Sequence, residues 1–95
     1  MKTFFMFGKY TAEAIRELSV ERTQKVISEI RKLGGETIAM HALLGEFDLL
    51  FCVALPQIED AIKASVALSK LTGISFTTSP AVTVETFDKL MSSSE

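Results

Sequence analysis

His41, Asp48 and Cys52 lie close together in the chain, and each is of a type that does chemistry. A histidine and an aspartate on neighbouring strands could pass a proton, the imidazole because it exchanges its proton near neutral pH, the carboxylate as general base or ligand anchor. Plainer readings compete with these. An aspartate near a turn routinely accepts backbone N–H bonds, and Asp48 could equally pair with Arg16 or Arg22. A lone strand histidine is more often hydrogen-bonded packing, and no second and third metal ligand stands at a recognisable spacing from His41. Haem ligation by His41 lacks an attachment motif, so neither metal nor cofactor is expected. Cys52, the single cysteine, has no histidine directly across from it and reads as a small buried hydrophobe rather than a nucleophile. Gly8-Lys9-Tyr10-Thr11 fails as a P-loop, because Thr3 stands where the first glycine belongs and a tyrosine follows the lysine. Lys9 and Tyr10 still fall where a strand gives way to a helix, a place where barrel mouths meet ligands. His41, Asp48, Lys9 and Tyr10 are therefore the candidate ligand-binding residues. The default for the last two is a solvated lysine and a packed tyrosine with its hydroxyl outward.

The elements that would position these residues follow from periodicity. Phe4, Phe5, Met6 and Phe7, closed by Gly8, read as a strand buried on both faces. Thr11 to Leu18 has room for a helical turn or two. Ser19 is a good N-cap for a helix carrying Val26, Ile27, Ile30 and Leu33 on one face, and Gly34-Gly35 stops it by tolerating positive φ. Residues 36 to 44 and 47 to 55 are strands with a short connection. Pro56 opens a helix over Gln57 to Leu71, whose face of Ile58, Ala61, Ile62, Ser65, Val66, Leu68 and Ser69 is small to apolar, and Gly73 ends it. Ser75 to Thr83, interrupted by Pro80, suits an edge strand, and Val84 to Met91 a last helix. Strand, helix, strand, strand, helix, strand is the ferredoxin-like βαββαβ order of an α+β fold, an antiparallel sheet with both helices on one face. Residues 1–91 read as one domain and 92–95 as a flexible tail.

Register in the central hairpin decides which way the polar residues face. With Gly45-Glu46 as a two-residue type II′ turn, Leu44 pairs with Phe47 and Leu43 with Asp48. One face then collects Ile38, Met40, Ala42 and Leu44 with Phe47, Leu49, Phe51, Val53 and Leu55, and should lie under the helices. The other collects Thr37, Ala39, His41 and Leu43 with Asp48, Leu50, Cys52 and Ala54, placing His41 diagonal to Asp48. Leu43, Leu50, Cys52 and Ala54 are too apolar for a water-bathed surface. A four-stranded face covers about 360 Å², the upper end of the apolar patch a monomer exposes. A second copy of the same sheet is the simplest cover, giving a homodimeric α+β barrel.

Gly45-Glu46-Phe47-Asp48 resembles the Gly-Tyr-Asp signature of the GYD domain family, with Phe for Tyr and a Glu inserted. The likeness runs on through Ile15-Arg16, Ser19-Val20-Glu21-Arg22, Leu33-Gly34-Gly35, Val53 to Pro56, and Gly73 before the last strand. The resemblance implies a ferredoxin-like dimeric barrel and brings no established activity. Phe47 lacks the hydroxyl of the usual tyrosine, so no role needing a phenol transfers to it. Glu46, at the turn tip, should be solvated.

Of 95 residues, 47% are hydrophobic and 23% charged, an ordinary globular composition. The net charge of −2 supplies no excess of Lys and Arg to displace counterions from a phosphate backbone. The topology is shared with RNA recognition motifs, but Phe-Asp-Leu-Leu-Phe-Cys-Val carries an acid and no base where those domains show Lys/Arg-Gly-Phe. Nucleic acid is not expected as a partner. The apolar start ends after four residues, short of a signal peptide, and no stretch is long enough for a membrane span, so the chain reads as soluble and unprocessed. One cysteine suits a reducing cytoplasm. Two functions fit: a non-catalytic homodimeric or larger module that binds or senses a small, partly apolar metabolite, or a cofactor-free enzyme, a small oxygenase or isomerase, moving protons with His41 and Asp48. The first is preferred, because one His and one Cys assemble no nucleophile, base and orienting group.

Overall fold

Along Lys2–Lys9 (β1), Phe4, Met6 and Gly8 are buried while Thr3, Phe5 and Phe7 are half-buried, the alternation of a strand with one covered and one open face. The computed structural model describes residues 1–93. After β1 come Ala12–Arg16 (α1), Val20–Lys32 (α2), Glu36–Ala42 (β2), Leu49–Leu55 (β3), Ile58–Thr72 (α3), Ser75–Ala81 (β4) and Val84–Ser93 (α4). The strands form one antiparallel sheet in the order β2-β3-β1-β4, the ferredoxin-like arrangement, so the α+β expectation holds. Of the tail expected over 92–95, Ser92 and Ser93 form the last turn of α4, and residues 94 and 95 lie outside the described residues.

Each helix starts on a side-chain cap. Thr11 Oγ1 accepts from Ala14 N–H at 3.0 Å, Ser19 Oγ from Arg22 N–H at 3.0 Å, and Asp60 reaches back to the Gln57 N–H at 3.0 Å. α2 turns Val26 and Ile30 inward, and α3 turns Ala61, Ala64 and Leu68 onto Phe4, Met6, Phe51, Val53 and Leu55. The two alanines let α3 lie close to the sheet. Its serines then bond across to β4, Ser65 Oγ with Thr78 Oγ1 at 2.6 Å and Ser69 Oγ to the Ile74 carbonyl at 2.8 Å. Pro80 sits in β4, at the sheet edge, as its missing N–H requires.

Two glycines after α2 do different jobs. Gly34 takes φ +82° and closes the helix, as the sequence suggests. Gly35 does not have positive φ; it is buried because its backbone passes so near β3 that a Cβ there would stand 2.5 Å from the Ala54 carbonyl oxygen.

The hairpin departs from expectation in detail. The pairing register is as read, with Ala42 opposite Leu49 and His41 opposite Leu50. The strands, however, stop at Ala42 and Leu49 instead of running to a two-residue turn, and the connection of residues 43–48 closes through Leu43 N–H to the Asp48 carbonyl at 2.8 Å. Leu44 is consequently fully exposed, and the Phe47 ring lies tilted against Phe7 of the open face at 5.1 Å, so neither joins the helix-covered face. A register shift between Thr37 and Ala39 also removes Ile38 from that face and leaves it 58% exposed. Thr37 stands there opposite Val53 instead, and its buried hydroxyl has no hydrogen-bond partner.

Candidate functional site

Tyr10 leaves β1 and its backbone N–H donates to Asp48 Oδ2 at 2.8 Å. Asp48 also donates its N–H to the Gly8 carbonyl at 2.8 Å and accepts from Leu43 N–H at 2.8 Å. Its carboxylate thus adds a side-chain rung where the β1–β3 ladder ends, tying the segment after β1 to the hairpin. No arginine pairs with it. Arg16 Nε donates to its own helix at the Ala12 carbonyl, and Arg22 donates to the Ala14 carbonyl at 2.5 Å. Asp48→Ala removes a part-buried, charge-assisted acceptor and strands the Tyr10 N–H, at a cost of roughly 2 kcal/mol, while Asp48→Asn keeps an acceptor oxygen and recovers about half. The two urea midpoints check this. Equal losses would mean the bond contributes little.

The Arg22 guanidinium lies over the Tyr10 ring, 5.9 Å from its centroid. Ser19, capping α2, sets Arg22 in the first helical turn and so aims it back over the end of the sheet. Beneath this pair is a cavity of about 150 Å³ on the helix-covered side, at the end of the sheet where β2 and β3 meet their connection. Its floor is apolar, from Val26, Met40, Leu49, Phe51 and Ile74, and its polar edge is Tyr10, Arg22 and Thr23, with His41 meeting the rim along β2 while its register places its side chain on the open face. Among the described residues no carboxylate lies within ion-pair distance of Arg22; the ion pairs are Glu29 with Lys32 and Glu85 with Lys89.

Of the expected site residues, the structure brings Tyr10 and His41 to this cavity and not Asp48 or Lys9. His41 is exposed on β2 at the rim. Lys9 is exposed at the end of β1, opposite Ser75. Gly45 and Glu46 are exposed in the hairpin connection, and Cys52 is half-buried on the open face between Phe5 and Ala39. Sequence reasoning missed Arg22 as a lining residue, although the Ser19 cap three positions earlier already fixes which turn it occupies. Among the described residues no group of three His, Cys, Asp or Glu side chains could hold a metal ion, and no helix is long and apolar enough to cross a membrane.

The second feature is the open sheet face. Phe5, Phe7, Leu50, Cys52 and Ala54 occupy the two central strands there, half-buried, with Phe47 folded over Phe7, and among the described residues no helix covers them. Thr77 and Ser79 of β4 supply its polar margin. A search of curated proteins returns no match. The model of the GYD domain family matches residues 4–91, from the first buried phenylalanine through the hairpin and cavity residues into α4, so the chain belongs to the GYD domain family.

Proposed function

We propose that the protein is a non-catalytic binding module, a homodimer joined through its open sheet faces, that takes a small, partly apolar molecule in the cavity under Tyr10 and Arg22. The observation that carries this reading is an apolar pocket with a single guanidinium at its lip and, among the described residues, no carboxylate within ion-pair distance of it. Size narrows the occupant. A cavity of about 150 Å³ is that of an engineered site known to hold one benzene ring. A one-ring or similarly small acid would lay its apolar body on Met40 and Phe51 and its anionic end against the free edge of Arg22. The space is beside the barrel rather than between the two sheets. The lone free cysteine suits a reducing cytoplasm.

A proton-transferring enzyme would need His41 and Asp48 facing one substrate, and Asp48 does not line the cavity and has its carboxylate engaged by Tyr10. That geometry favours binding over catalysis. Benzoate is the simplest probe. In a titration followed by amide NMR, shifts should concentrate at Tyr10, Thr23 and Met40. Arg22→Ala should weaken the fitted affinity roughly 10- to 100-fold, the worth of one hydrogen bond to a charged group. Shifts scattered over the surface, or affinity indifferent to Arg22, would remove the site.

A further inference from the structure

We propose that residues 44–46 form a lid, which folds down over the cavity under Tyr10 and Arg22 and brings Leu44 against Leu18 once the cavity is filled. The inference rests on the reading of that cavity as a binding site. Ala42 and Leu49, the last pair of the β2–β3 ladder, both line the cavity, so the hairpin connection springs directly from its wall. Leu44 follows Ala42 by two residues, at most about 7 Å of chain, and is 103% exposed. On the helix side of the mouth, Leu18 in the link between α1 and α2 lines the same cavity and is 58% exposed. A single exposed leucine is ordinary. Two at the lips of one cavity, one carried by the sheet and one by the helix layer, can take each other's apolar surface out of water by closing across it.

The connection is a free tip on a fixed base. Leu43 N–H donates to the Asp48 carbonyl at 2.8 Å, Asp48 is tied to Gly8 and Tyr10, and the Phe47 ring rests on Phe7 at 5.1 Å. Beyond that base, none of residues 44–46 makes a hydrogen bond or an ion pair among the described residues. Gly45 supplies the pivot. It stands at φ +136°, a Cβ there would meet nothing within 4 Å, and glycine passes between positive and negative φ without the clash another residue would suffer. The tip can therefore swing while every bond of the base is kept, as a short hinged loop does over an occupied site. The hairpin signature then divides its work: Gly45 turns, Glu46 stays in solvent, and Phe47 and Asp48 hold the base.

The test is a benzoate titration of the full chain followed by amide and methyl NMR, on the parent, Leu44→Ser and a control, Ile38→Ser, which changes an exposed residue of β2 that does not line the cavity. Neither side chain belongs to the core, so both variants should fold. Saturation with benzoate should bring the ps–ns motion of the residue 44–46 amides down to that of the strands, and should give a contact between the Leu44 and Leu18 methyl groups. Leu44→Ser should raise the dissociation constant roughly 10-fold, chiefly through faster release, as the loss of one partly buried leucine does. Ile38→Ser should leave it within about twofold. An affinity unchanged in Leu44→Ser, or a tip as mobile with benzoate bound as without it, overturns the lid; the cavity survives that result if Arg22→Ala still weakens binding. Benzoate binding that ignores both Arg22 and Leu44 removes the cavity and the lid together.

Discussion

Leu50→Asp should leave the protein monomeric at concentrations where the parent chain is a dimer. Leu50 sits on β3 with Phe7 opposite on one side and His41 on the other, near the middle of the open face. In a sheet-to-sheet assembly an aspartate there would be desolvated without a partner, and two-fold symmetry would bring a second one close by. Burying a lone carboxylate costs several kcal/mol even after relaxation, so dissociation should become at least about 1,000-fold easier. The fold itself should survive. Leu50 belongs to no part of the helix-covered core, whereas Val53, three positions along and fully buried under the helices, would not tolerate the same change. Sedimentation velocity on Leu50→Asp, with Thr77→Asp as a control at the polar margin, separates the outcomes. An unaltered dimer in Leu50→Asp would mean that the apolar face is not where the copies meet.

The reason this face could be read from the chain is its strict period of two. Phe5, Phe7, Leu50, Cys52 and Ala54 alternate with Phe4, Met6, Phe51, Val53 and Leu55, and the ladder keeps that alternation without interruption from Lys2 to Gly8. Helix starts were equally legible, because Thr11, Ser19 and the Gln57–Asp60 pair satisfy orphan N–H groups through local bonds that need no tertiary context. Features set by long-range geometry were not. The shift beside Ile38 exchanges Ile38 and Thr37 between faces, and nothing in Glu-Thr-Ile-Ala marks it; it leaves a threonine hydroxyl without a partner, against local preference. The longer hairpin connection arises because Asp48 bonds Gly8 and Tyr10 of β1 as well as Leu43, so it works as a three-strand junction rather than a turn residue. Arg22's place at the cavity, rather than beside Asp48, could not be read for a related reason. Its partner, the Ala14 carbonyl, and the Tyr10 ring are brought beneath it only when α1 folds against the start of α2.

Gly35→Ala should be among the most damaging single-methyl additions available to the chain, lowering unfolding free energy by about 3 kcal/mol. The added Cβ would stand 2.5 Å from the Ala54 carbonyl oxygen and 2.5 Å from Leu55 Cδ2. A flexible side chain could retreat, but Leu55 is fully buried among the core residues and the carbonyl belongs to the β3 backbone. Relief therefore requires β2 to lift from β3 at its first residues, next to the register shift already present there. For a domain of this size such a loss lowers the melting temperature by roughly 12–24 °C. Gly34→Ala is the informative comparison, because Gly34 meets only Pro56 at 3.4 Å and its cost is that of φ +82° alone, about 1 kcal/mol. Urea unfolding of both variants tests the ranking. If Gly34→Ala proved the worse, helix termination rather than the close approach of β2 to β3 would be what the glycine pair provides. A larger loss at Gly35 ties the α2–β2 junction to the far end of the same strand, where Met40 and His41 meet the cavity: the strand that glycine allows to seat is the one that forms the cavity's wall.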